Sequence, residues 1–250
     1  HVAMAAAIEA LRAQVPADEG GTLTPERARS EAGKAGEARV AVPGEAAQAA
    51  ARKTINEVFG KQWEAARTAA ARQALAASLL EQAGKLADDP AGQFVLLEMA
   101  RDMAVRGDDP KTALAAADAL EATFEVDGLA IKADTVVRLA GSVTDAEQAR
   151  MLLEQTLDLV DTAVAREAFA QARELVTTAA KIAYKARDKA LRERIDGYRQ
   201  WTDELVREHP RYLEAMKKLD ADPVDPEANL IAGRFLWFGK GDSEWGIPML

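Results

Sequence analysis

The feature that most constrains this chain is a helix punctuation that recurs along it. A capping residue followed by proline opens an apolar run, and glycine followed by aspartate closes one. Asp89-Pro90, Asp109-Pro110 and Asp225-Pro226 are starts of this kind, with Thr24-Pro25 a fourth. Arg106-Gly107-Asp108 and Lys240-Gly241-Asp242 are the stops. Aspartate can accept from the orphan amides of a first turn, and proline at the first helical position loses no hydrogen bond. Between Pro110 and Phe124 the residues Ala113, Ala117, Leu120 and Phe124 fall at i, i+4, i+7 and i+11, which returns to one face of an α-helix. Phe94, Leu96, Leu97, Met99 and Met103 fill the preceding segment. The stretch from Asp89 to Val126 therefore predicts two helices joined by a tight turn, with Gly107 supplying the permissive backbone that ends the first. Such a short connection obliges the two to pack antiparallel.

The same grammar extends over the rest of the chain. Helices are expected at Glu45 to Phe59, broken by Gly60, and at Ala69 to Leu86, with Trp63 plugging the helices around it. A further helix is expected after Asp127-Gly128, carrying Leu129, Ala133, Val136 and Ala140, and ended by Gly141-Ser142. Thr144-Asp145-Ala146-Glu147 reads as a capping box before Leu153, Leu157, Val160 and Val164. Phe169, Ala172, Val176, Ala179 and Ala183 follow, then a long helix with Leu191, Ile195, Tyr198 and Leu205 that Pro210 should kink or divide. After a loop at Asp220 to Asp225, the last helix is expected to run from Pro226 to Phe238. Apolar residues make up 48% of the chain, largely alanine, and aromatics only 5%. That balance favours closely packed helices over sheets. The expected fold is all-α: stacked antiparallel helix pairs in a tetratricopeptide-like, right-handed array with degenerate repeats. Residues 1–44, rich in glycine with three prolines, read as a flexible or partly helical segment that includes an expression-tag remnant at His1-Val2-Ala3-Met4 and one short helix from Pro25 to Ala35. The helical-repeat domain is expected over 45–250, cut short at its C-terminal end.

Charge and motifs narrow the function classes. A net charge of −9 and a pI near 5.0 argue against a nucleic-acid partner. The basic run Lys181, Lys185, Arg187, Lys189, Arg192 and Arg194 is interleaved with Ile182, Ala183, Ala186 and Ala190 at helical spacing, which makes it a solvated face. Cysteine is absent, which removes disulfides, thiolate metal sites and cysteine nucleophiles. No apolar run reaches the ~18 residues a membrane span needs. Of the two histidines, His1 belongs to the tag remnant and His209 precedes Pro210, so no paired-histidine metal site can form. No phosphate-binding loop, nucleophile elbow or dinucleotide glycine fingerprint occurs. Asp88, Asp89, Asp108 and Asp109 are explained as caps. Asp220, Asp222, Asp225 and Glu227 lack the central glycine and spacing of a calcium loop. The reading is a non-enzyme with no cofactor. The residues singled out for contact with a partner or ligand are Phe235, Trp237, Phe238 and Trp245, since exposed tryptophans serve as stacking platforms or interface anchors.

Asp89-Pro90, Phe94-Val95-Leu96-Leu97, Ala100-Arg101-Asp102, Ala113-Leu114 and Phe124-Glu125-Val126-Asp127 form one recognisable set. Asp225-Pro226-Glu227-Ala228-Asn229-Leu230, Gly233-Arg234-Phe235-Leu236, Lys240-Gly241-Asp242 and Gly246-Ile247-Pro248-Met249-Leu250 form a second. Together they resemble an uncharacterised all-helical module of large multidomain bacterial proteins, many of them predicted to be exported. The resemblance covers about Ala50 to Leu250. It implies a tetratricopeptide-like accessory module in an extracytoplasmic setting, beside carbohydrate-active, lectin-like or signalling domains, and it brings no catalytic residues with it. The expected role is a scaffold for a protein partner or a neighbouring domain. The alternative is a carbohydrate- or cell-wall-binding module that takes polysaccharide.

Overall fold

The computed structural model describes residues 39–250 apart from Arg187. The tag remnant, the Thr24-Pro25 start and the short helix expected at Pro25 to Ala35 lie outside the described residues. The described chain is all-helical, with neighbouring helices packed in sequence. Among the described residues no helix is long and apolar enough to cross a membrane. The chain divides into two compact units at Leu152–Leu153.

In the first unit α1 (Glu45–Ala65), α2 (Ala69–Ala83), α3 (Pro90–Arg106), α4 (Pro110–Thr123) and α5 (Gly128–Ser142) follow one another. Helix α3 is the hub, packed by α2 and α4 and also by α1 and α5. It buries Phe94, Val95, Leu96, Leu97, Met99, Ala100 and Met103, among others, because a helix contacted on several sides is apolar nearly all round. Asp89, Asp109 and Asp127 cap α3, α4 and α5 by accepting from Gly92 N, Thr112 N and Ala130 N. Small residues bring the helices close: Ala100, Ala113 and Ala117 are fully buried.

Several expectations shift in detail. Helix α1 runs through Gly60, where helical backbone is tolerated at a modest cost, so Trp63 lies inside α1 and is only half-buried. The α3–α4 turn takes its left-handed residue at Asp108 (φ 54°) and not at Gly107. Gly107 is glycine for a different reason: a Cβ there would lie 3.1 Å from Arg72 Cβ and from Gln73 N. Arg72 and Gln73 of α2 use that proximity to donate to Arg106 O and Gly107 O, closing the carbonyl end of α3. Helix α4 stops at Thr123, one residue before Phe124, which is fully buried and meets Phe94 edge-on at 5.0 Å. Its extended backbone leaves Thr123 O and Glu125 N free to pair with Val40 N and O, at 2.8 and 2.9 Å.

Helix α6 (Ala146–Ala165) opens on Asp145, which accepts from Glu147 N and Gln148 N, so the cap is one residue later than the Thr144 box. The second unit continues through α7 (Phe169–Ala186), α8 (Lys189–Ala221), α9 (Pro226–Arg234), a π-helical turn (Phe235–Gly239), α10 (Ser243–Gly246) and a final 3₁₀ turn (Ile247–Met249). Helix α8 is unbroken over 33 residues with Pro210 inside it. Proline here forfeits one intrahelical bond without dividing the helix, because both halves are held by packing: α7 covers α8, and α9 and the π turn cover it further along. Ala215, Leu219, Ala228 and Ala232 form the α8–α9 core, with Tyr212, Met216, Ile231 and Met249 around it.

Candidate binding groove along α8 and α9

Helices α8 and α9 run alongside each other because their facing positions are small or aliphatic. Ala215 and Ala228 are nearly fully buried at the seam. Where α9 reaches Phe235 the ladder widens into a π turn, with Lys240 N donating to Phe235 O at 3.0 Å. Such a turn inserts a residue and re-aims the side chains after it, and it is frequent at functional sites. Gly239 ends it against α8, where a Cβ would stand 3.0 Å from Leu205 Cδ2. Trp201 donates its indole N–H to Gly239 O at 2.8 Å. That bond fixes the ring, since a part-buried indole N–H needs a partner.

The open side of this helix pair is a groove of about 880 Å³. Its floor is Leu205, Ala215, Ala228 and Phe235, and Trp201, Ile231 and Phe238 stand beside it. Its rim carries Glu204, Glu208, Arg211, Glu214 and Lys218 from α8 and Glu227 and Arg234 from α9. Much of that charge is paired within the protein: Glu204 with Arg207, Glu208 with Arg211 at 3.3 Å, and Lys218 with Asp225 at 2.9 Å and Glu227 at 3.6 Å. The backbone N–H of Ala228 and the Lys218 ammonium hold Asp225 below the usual carboxylate range. Apolar floor, polar rim and this volume are the ordinary attributes of a binding cleft.

The four aromatics singled out from sequence take separate places. Phe235 is buried, stacked on Tyr212 at 4.4 Å and beside His209 and Phe169, so its larger role is core. Phe238 lines the groove and leans on Trp237, ring centroids 4.3 Å apart. Trp237 is 38% exposed and Trp245 63%. Trp201 and the rim of α8 were not singled out. Trp201, Glu204 and Glu208 stand at i, i+3 and i+7, a spacing that could have marked a second face of α8 beside its apolar stripe.

Two further clusters hold titratable groups. At the first, Glu167 in the turn before α7 (φ 58°) accepts from Lys240 Nζ at 2.8 Å and faces His209 Nε2 at 3.4 Å. Burial pushes the Glu167 carboxyl up, but Lys240 and His209 together outweigh it and hold the pKa below the ordinary value. At the second, Glu154, Asp158 and Asp161 share a stripe of α6, and Arg194 Nη1 of α8 donates to both Glu154 carboxylate oxygens, at 2.9 and 3.0 Å. The protein around Asp161 together with neighbouring Asp158 raises its pKa to about 6, against the pull of Arg194 and Tyr198. Burial and Asp161 in turn push the Tyr198 hydroxyl up to about 12. Among the described residues no group of three or more His, Asp or Glu side chains is arranged to hold a metal ion.

Comparison of the chain with protein families, with curated proteins and with solved structures returned no match.

Proposed function

We propose that this chain is a non-catalytic interaction module of the tetratricopeptide-like kind, and that the α8–α9 groove is where it holds another polypeptide. The observation that carries this reading is the combination of an apolar floor, a fixed Trp201 and a rim of charges largely paired among themselves. Such a surface offers burial and orientation. Stacked helix pairs commonly present concave faces of this sort to peptides and domains. The resemblance stated above supports the role of an accessory module and an extracytoplasmic setting.

Selection of the purified protein against a displayed library of random peptides tests the proposal. Convergent sequences, bound by the native protein and lost on Phe238→Asp with helicity retained, are the expected result. The carbohydrate-binding alternative rests on Trp237 and Trp245, which are exposed. If no peptide converges, and cell-wall glycan fragments instead give a saturable fluorescence change abolished by Trp237→Ala or Trp245→Ala, the polypeptide reading falls and the alternative replaces it.

A further inference from the structure

Resting on the reading of this groove as a polypeptide site, we propose that its occupant is an amphipathic α-helix with a cationic edge and an anionic edge. Three observations argue for it. The groove follows a helix pair, from Trp201 to Lys218 on α8 and from Glu227 on α9 to Gly239 at the end of the π turn. At ~1.5 Å per residue those spans are roughly 26 and 18 Å, which suits three to four turns of a docked helix. The floor steps from large to small along the helix pair, with Leu205 and Phe235 toward one end and Ala215 and Ala228 beyond them. That relief accepts side chains at i, i+3, i+4 and i+7 of an incoming helix. The third observation is charge. With Glu204, Glu208, Arg211, Lys218 and Glu227 engaged in the ion pairs described, Glu214 on the α8 wall and Arg234 on the α9 wall keep no ion-pair partner within 4.0 Å among the described residues. The two walls thus present one open charge of each sign, and a helix complementary to both carries a cation on one edge and an anion on the other.

Four synthetic 16-residue peptides test this by calorimetry against the full chain. All share a leucine stripe at helical spacing. One has a lysine edge and a glutamate edge, one has lysine on both edges, and one has glutamate on both. The fourth is the two-sign peptide broken by central proline. Because exposed charges contribute little each, the two-sign peptide should bind about 3- to 10-fold tighter than either uniform one. Arg234→Glu should transfer the preference to the all-lysine peptide, and Glu214→Lys to the all-glutamate one. Both are surface changes whose folding is checked by circular dichroism. The proline-broken peptide should not bind. Equal affinity for all four peptides, or binding of the broken one, overturns the helix. So does a peptide-free dimer, seen by sedimentation, that Phe238→Asp dissolves. Should the display selection converge on extended sequences, the helix falls while the interaction module stands. Should it converge on nothing, both fall.

Discussion

At Gly246 a methyl group has nowhere to go. A Cβ there would stand 2.6 Å from Trp237 N and 2.7 Å from Trp237 Cβ, and at Gly233 it would meet Gly246 O at 2.8 Å. These glycines let the last turns lie directly on the π turn that shapes the groove. Gly246→Ala should cost about 1 to 3 kcal/mol by chemical denaturation. Gly60 is the opposite case. It sits in the interior of α1 with nothing within 4 Å of its missing Cβ, so Gly60→Ala should add about 0.5 to 1 kcal/mol. Asp161 supplies a pH dependence. Its folded pKa of about 6 lies above the ordinary 3.8, so the native state binds more protons than the unfolded one between those values. Stability should therefore fall as pH rises through that window, and Asp161→Asn should flatten the slope. Because Asp161 is surrounded by protein yet solvent-exposed, screening by water limits the effect, and the gain from Asp161→Asn at pH 7.5 should stay below about 1 kcal/mol. Thermal melts across pH 4 to 8 measure both, and a slope unchanged by the substitution contradicts the assignment.

Elements in this chain are decided by their ends. Asp89, Asp109 and Asp225 each accept from the backbone N–H three residues on, at 3.0, 3.1 and 2.8 Å. Asp109→Ala should cost about 1 kcal/mol, read from the urea midpoint at unchanged slope. These caps were legible in the sequence because the acid and the proline act over a few residues. The stripe of α4 and the buried face of α3 were legible for the same local reason. The differences fall where the folded chain does not follow a local signal. Gly60 looked like a break and Pro210 like a point that would kink or divide its helix, yet α1 runs through the first and α8 is not divided at the second. The left-handed residue of the α3–α4 turn is Asp108, because α2 crowds Gly107 for packing reasons that no local pattern carries. The π turn at Phe235–Gly239 interrupts a helix expected to run to Phe238, and it closes with Gly239 against Leu205.

On the scale of the whole molecule the all-helical class follows from composition and periodicity together, whereas the groove does not. Aromatic residues near the C-terminal end drew attention to Phe235, Trp237, Phe238 and Trp245, and only Phe235 and Phe238 reach the groove. Its other wall comes from α8, some 30 residues earlier in the chain, and the bond from Trp201 to Gly239 that joins the two is visible only once the helices are folded together. The chain has four tryptophans. The most direct measurement of the central claim replaces Trp63, Trp237 and Trp245 with phenylalanine and follows the fluorescence of Trp201 alone as a display-selected peptide is added. The account predicts a saturable spectral shift with the affinity found by calorimetry, lost on Phe238→Asp. Undiminished binding with a silent Trp201 would place the peptide elsewhere and contradict it.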